Sequence, residues 1–182
     1  MKKISIAVLI LAFAGALGAE ETRTEIVNAT TPFLDAKPNS PDVPDVYAVS
    51  GKFERIVILR FKYQTDLLAG LQRMVKEQHI KNAVILAAVG SVRSYQYHMV
   101  SNRTFPSKNI FVKNPEGFAD IIGMSGYVMD GRMHPHITLA DQNHAFGGHL
   151  EPGTTVFTFA AVTLGVLDDG IDIKLLDEKT YR

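Results

Sequence analysis

The stretch GRMHPHITLADQNHAFGGHL, residues 131–150, constrains the fold more than any other part of the chain, because it holds four of the six histidines and reads as two strands around a polar turn. If Met133 to Ala140 is a strand, alternate side chains share a face, so His134 and His136 point the same way with Cα atoms roughly 6.6 Å apart. The run Asp141, Gln142, Asn143, His144 has turn chemistry, and Gly147 and Gly148 relax the backbone as the chain returns. A four-residue loop would place His136 opposite His149 and His134 opposite Glu151, all on one face. A slip of one residue would turn His149 to the other side.

Three imidazoles around one point suit a divalent transition metal, and with an open position they are more like a catalytic zinc site than a closed structural one. The expected ligands are therefore His134, His136 and His149, with Zn2+ or another divalent transition metal as the ion. Pro135 should face away from the ion, and because it lacks a donor its strand should be an edge there or turn that position outward. The competing reading has His134 and His136 merely alternating on a half-exposed strand while His149 bonds a turn. His144, in the loop, should be exposed. His98, at the end of YQYH, is a further ligand or acid-base group if its strand borders the site, and His79 suits the C-terminal end of a helix dipole. The chain has no cysteine, so a metal must sit on His, Asp or Glu and no disulfide can form.

The rest of the chain reads as strands with one helix. Residues 53–61 (FERIVILRF) and 46–50 (VYAVS) flank Gly51 as an expected hairpin. Thr65 to His79 places Leu67, Leu68, Leu71, Met74 and Val75 at helical spacing, with Thr65 or Asp66 as N-cap. Strands are expected at 83–89, 94–100, 117–129, 133–140, 145–151, 155–167 and 171–176. This predicts an α+β domain over residues 46–182, a curled, largely antiparallel β-sheet packed on one main α-helix.

Ahead of it, residues 1–19 have Lys2 and Lys3, an apolar run too short to span a bilayer, and small residues, the layout of a secretory signal peptide. Residues 20–45 hold four prolines and read as an extended arm or linker, able to clasp a neighbouring subunit. The expected product is a periplasmic or secreted chain without a membrane anchor. Losing the two leader lysines leaves 17 Lys and Arg against 19 Asp and Glu, interspersed, which is no footprint for nucleic acid.

Residues from about 53 to 167 resemble the plants-and-prokaryotes-conserved (PPC) domain, through Arg60 in ILRF, the helix start Asp66-Leu67-Leu68, a Gly-x-Val-Arg turn at Gly90 to Arg93, and H-x-H followed by Asp141 and GGHL. The resemblance implies an α+β fold, assembly as a homotrimer, and a match of His134, His136 and His149 to the metal-site histidines of prokaryotic members. The fold group is similar to that of acetolactate decarboxylase, a zinc enzyme with a related histidine pattern. Plant relatives bind A/T-rich DNA through an Arg-Gly-Arg-Pro hook that is absent here, and Pro135 stands where the family usually has a bulky apolar residue.

The expected function is an exported metal-binding protein supporting metal-dependent hydrolase or lyase chemistry, with Glu151 or His98 as acid or base and Arg93 or Arg60 holding a small anionic substrate. The alternatives are a non-enzymatic trimeric binding module and a DNA-binding protein.

Overall fold

A computed structural model describes residues 23–28 and 40–178; the expected leader and most of the arm lie outside the described residues. The elements are β1 (Arg23–Asn28), β2 (Phe53–Lys62), α1 (Leu67–Glu77), β3 (Ala83–Val100), β4 (Lys108–Asn114), β5 (Ala119–Met129), β6 (Arg132–Ala140), β7 (Ala145–Leu150), β8 (Thr155–Leu167) and a 3-10 turn (Lys174–Asp177). The strands form one antiparallel sheet. The backbone of β1, from the expected arm, pairs along β4.

The architecture follows from period-two patterning. In β2, Leu59 and Phe61 are buried while Ile58 and Arg60 are exposed, and in β8 Val156, Ala160, Val162, Leu164 and Val166 are buried. Strand β8 therefore lies between β2 and β3, completing a three-strand face. Helix α1 begins where Asp66 Oδ1 accepts the Ala69 amide at 2.9 Å, which satisfies a donor that the first turn leaves unpaired. Its stripe of Leu67, Leu68, Leu71 and Val75 joins the same core, each fully buried leucine contributing about 2 kcal/mol. Gly70 lets the helix settle on β2, since a Cβ there would stand 2.7 Å from the Phe61 ring.

Strand β3 is the spine. Two separate strands were expected over 83–89 and 94–100, with a turn at Gly90 to Arg93; instead one 18-residue strand runs through. Gly90, at φ +141°, adjoins an irregularity in the pairing with β8, and a Cβ there would meet the Phe159 carbonyl at 2.3 Å. The first half of β3 pairs with β5 and β8, the second half with β4 and β7. Because β5, β6 and β7 follow one another and β7 returns to β3, these four strands close a ring. The sheet thus curls by strand-to-strand closure, with α1 at its side, rather than by wrapping the helix.

Two further expectations are corrected. Residues 46–50 form no strand, and β2 takes β8 as its partner; Gly51 sits where a Cβ would collide with the Ile171 side chain, so it serves a close contact, not a hairpin. Residues 171–176 are not a strand: Asn82 Nδ2 donates to the Ile171 carbonyl at 2.7 Å and Ile173 is buried, which ties the segment down as a cap ending in the 3-10 turn. Strand β4 was not anticipated.

Candidate metal centre

The site begins with the β6–β7 hairpin. Asp141 Oδ1 accepts the amides of Asn143 and His144 at 2.7 and 2.9 Å, and these backbone hydrogen bonds hold its carboxyl below the ordinary carboxylate range. The loop is four residues long, and so His136 lies opposite His149, the register that the histidine spacing requires. His144 is exposed in that loop. Pro135 is fully buried on the reverse face, and β7 pairing stops at residue 136, so among the described residues β6 has no partner on that side where the proline lacks a donor.

The glycines after the loop have a more specific role than loosening the backbone. A Cβ on Gly147 would stand 2.0 Å from the Ile137 carbonyl, and one on Gly148 would stand 2.3 Å from the His98 carbonyl. Both are strand-crossing contacts that any larger residue would wedge apart. Their absence of side chains lets β7 lie against β6 on one side and β3 on the other, which pairs His98 directly with His149. Directly paired residues share a face, so His136, His149 and His98 form a row across three strands. Phe111 of β4 extends it, with its ring centroid 4.9 Å from that of His98.

His134 joins from two positions along β6. Its ring centroid lies 5.2 Å from that of His136 and 4.7 Å from that of His149, while His136 and His149 are 5.4 Å apart and His98 and His149 are stacked at 4.6 Å. The Nε2 atoms of His134 and His136 are 3.2 Å apart, close to the roughly 3.4 Å between two nitrogens on one tetrahedral zinc.

Acceptors hold three of the four rings. His134 Nδ1 lies 2.9 Å from Asp177 Oδ2, His98 Nδ1 lies 2.5 Å from Glu151 Oε1, and His149 Nδ1 lies 3.1 Å from the Leu150 carbonyl. Donation from Nδ1 in each case leaves Nε2 as the lone-pair nitrogen. Donor atoms of His98, His149 and Glu151 also lie within 4.8 Å of one another, a group able to hold a metal. Imidazole nitrogen with one carboxylate is a donor set that suits zinc, copper or nickel.

The environment favours the neutral form of two of these rings, His149 and His136. Burial, then the neighbouring His98 and His134, lowers the His149 pKa from 6.5 to about 4. Burial, with His134 and His98 beside it, also lowers that of His136. Burial works against the Asp177 charge, but hydrogen bonds from Arg132 and His134 outweigh it and hold the carboxyl below its ordinary value.

Of the other expected residues, Glu151 and His98 stand within the cluster. Glu151 is not opposite His134: β7 ends at Leu150, and the Glu151 amide donates to the Gln96 carbonyl of β3 at 3.0 Å, which turns its carboxylate toward His98. Arg93 is elsewhere, bonded to the Tyr63 hydroxyl and lining a cavity of about 850 Å³ with Phe118, Asp120 and Phe157. Arg60 is exposed on β2. His79 follows the helix at φ 52°, its amide on the Lys76 carbonyl. Sequence reasoning missed Asp177, whose only local signal is an acid directly after the C-terminal run 171–176 expected to be strand.

Comparison with known proteins places the fold and the family. The sequence profile of the Plants and Prokaryotes Conserved (PCC) domain, the PPC domain above, matches residues 48–168. The bifunctional protein GlmU of Synechococcus sp. (strain JA-2-3B'a(2-13)) is 28% identical over 119 residues, covering 60% of this chain and 16% of that protein, so the chain spans about a sixth of such relatives. A metal-containing protein from Archaeoglobus fulgidus superposes with a TM-score of 0.59 at 24% identity, over 68% of this chain and 86% of that one. A plant- and prokaryote-conserved protein from Pyrococcus horikoshii gives 0.54 at 21% identity, over 68% and 85%.

Proposed function

The chain belongs to the Plants and Prokaryotes Conserved domain family, and from that premise we propose that it is an exported, homotrimeric protein that binds a divalent transition metal, zinc foremost, at the imidazole cluster. The observation that carries this reading is the convergence on His149 of rings from two directions, His134 and His136 from β6 and His98 from β3. His149 belongs both to the expected three-histidine set and to the His98–His149–Glu151 group. Its low pKa leaves the ring free of a competing proton at neutral pH. The likeness to a metal-containing protein of the same fold agrees with this.

A divalent ion held there with an open position would lower the pKa of its bound water towards neutrality and so support hydrolase or lyase chemistry. The chain's own part is to fix the imidazoles. Glu151 and the Leu150 carbonyl orient His98 and His149, and His136 remains on the solvent side. The reading leaves out Arg93 and Arg60, which stand apart from the histidines; Arg132, at the edge of the cluster, is the cation available to a small anion.

Trimer formation is supported by the outer face of β2, β8, β3 and β5, where Ile56, Ile58, Val89, Ile122, Phe157 and Phe159 are all exposed. A face so apolar, with no basic footprint in the chain, suits a protein partner better than DNA.

A non-enzymatic binding module is the second reading, favoured by one observation: both carboxylates beside the imidazoles, Glu151 and Asp177, are engaged in holding rings, so neither is an uncommitted proton acceptor. Elemental analysis of untagged protein, as purified and after incubation with Zn2+, tests the metal. About one ion per chain is expected, and His149→Ala should abolish it; wild-type protein that cannot be loaded would end the reading.

A further inference from the structure

The family match stops at residue 168, yet a carboxylate nine residues further on reaches into the histidine cluster. Asp177 sits in the last turn of the described chain, with its side chain only 18% exposed. One oxygen, Oδ2, is shared between His134 Nδ1 at 2.9 Å and Arg132 Nη1 at 2.7 Å. Arg132 and His134 are alternate residues on one face of β6, so the two donors rise side by side and a single carboxylate oxygen meets both. The segment that delivers it is anchored independently of the histidines, through the Asn82 bond to the Ile171 carbonyl and the buried Ile173 side chain.

We propose that Asp177 is a positioning residue for metal capture, an addition of this chain's C-terminal segment that locks His134 in the tautomer whose Nε2 lone pair faces His136. The inference rests on the metal-binding reading above. A neutral imidazole carries one proton, and an acceptor at Nδ1 keeps that proton there, which leaves Nε2 as the only ring atom able to ligate. Glu151 does the same for His98 from the other side of the cluster. The two carboxylates therefore bracket the row, and Arg132 fixes Asp177 in place for the task.

The test compares wild type with Asp177→Ala and Asp177→Glu. Zn2+ affinity is measured by competition with a chromophoric chelator, and the tautomer of His134 in the metal-free protein by 15N-edited NMR at pH 7.5. Asp177→Ala should weaken Zn2+ binding by about 10- to 100-fold and shift the His134 proton from Nδ1 towards Nε2, while Asp177→Glu restores much of both. Circular dichroism of each variant checks that the fold is kept, and Arg132→Ala, which spares His134, should give a smaller loss than Asp177→Ala if a variant proves unstable. An unchanged tautomer in Asp177→Ala, or an equal loss in Asp177→Glu, would overturn the proposal. If wild type takes up no Zn2+, the metal reading fails, and the tautomer result decides the role of Asp177 without it.

Discussion

Two faces of the same three strands, β6, β7 and β3, have opposite characters. On the inner face Ile137, Leu150 and Tyr97 are buried in the ring of strands; on the outer face, one residue removed in each strand, His149 and His98 line up half-covered beside an exposed His136. The inner face holds the strands together by removing apolar area from water. The outer face gains little by packing and sets imidazoles beside one another, with burial of His149 and His136 disfavouring their charged forms. One backbone register serves both, so the fold's own requirement for burial at odd positions of β6 sets the histidines at even ones. This division teaches that the site is carried by the core without contributing to it, and three measurements bear on that.

The largest effect is expected on the inner side. Leu150 is completely buried, and Leu150→Ala should lower unfolding free energy by about 2–5 kcal/mol in denaturant titrations, whereas His149→Ala beside it should change the metal-free protein by no more than about 1 kcal/mol. A greater loss for the histidine would erase the distinction between the faces.

The next effect is acid sensitivity. His149 titrates near 4 in the fold and near 6.5 unfolded, so between those values the unfolded chain binds the proton first. The metal-free protein should therefore lose stability as pH falls from about 6.5 to about 4, by at most about 3 kcal/mol from this ring, and be insensitive to it above pH 7. His136 adds in the same sense. Denaturant midpoints for wild type and His149→Gln at pH 7.5 and 4.5 check this: the gap between them should narrow in wild type's disfavour on acidification. Equal slopes would mean that the outer face carries no such cost.

The smallest effect belongs to His144. Exposed on the loop, it should tolerate His144→Ala within about 0.5 kcal/mol and with unchanged metal content, which thermal melts and elemental analysis would read. A loss of metal there would extend the site to the loop.

The hairpin was legible because its signals are local. The spacing of His134 and His136, the Asx chemistry of Asp141 and a four-residue loop together specify that His136 faces His149, and the structure has that pairing. The helix was equally plain, and of the two expected caps, Thr65 and Asp66, it is Asp66 that serves. Less legible were features that depend on distant chain. Gly90 looked like a turn because a glycine in a β-rich run marks a turn or a bend equally well, and only pairing with β8 and β5 makes it a bend within one strand. Residues 171–176 carry strand-forming types, but no strand edge was offered to them; Asn82 and a buried niche for Ile173 captured them instead.

For the site, the amino-acid order alone determined which histidines share a face, since side-chain alternation along a strand is a matter of covalent geometry and holds wherever the strand lies. It also determined the hairpin register, because loop length and turn chemistry act within a few residues. Only the tertiary structure decided that β7 crosses from β6 to β3, bringing His98 and Glu151 to His149, and that the C-terminal turn carries Asp177 to His134. Those meetings arise from the closure of the strand ring and the anchoring of a distant segment, which depend on the packing of the whole core.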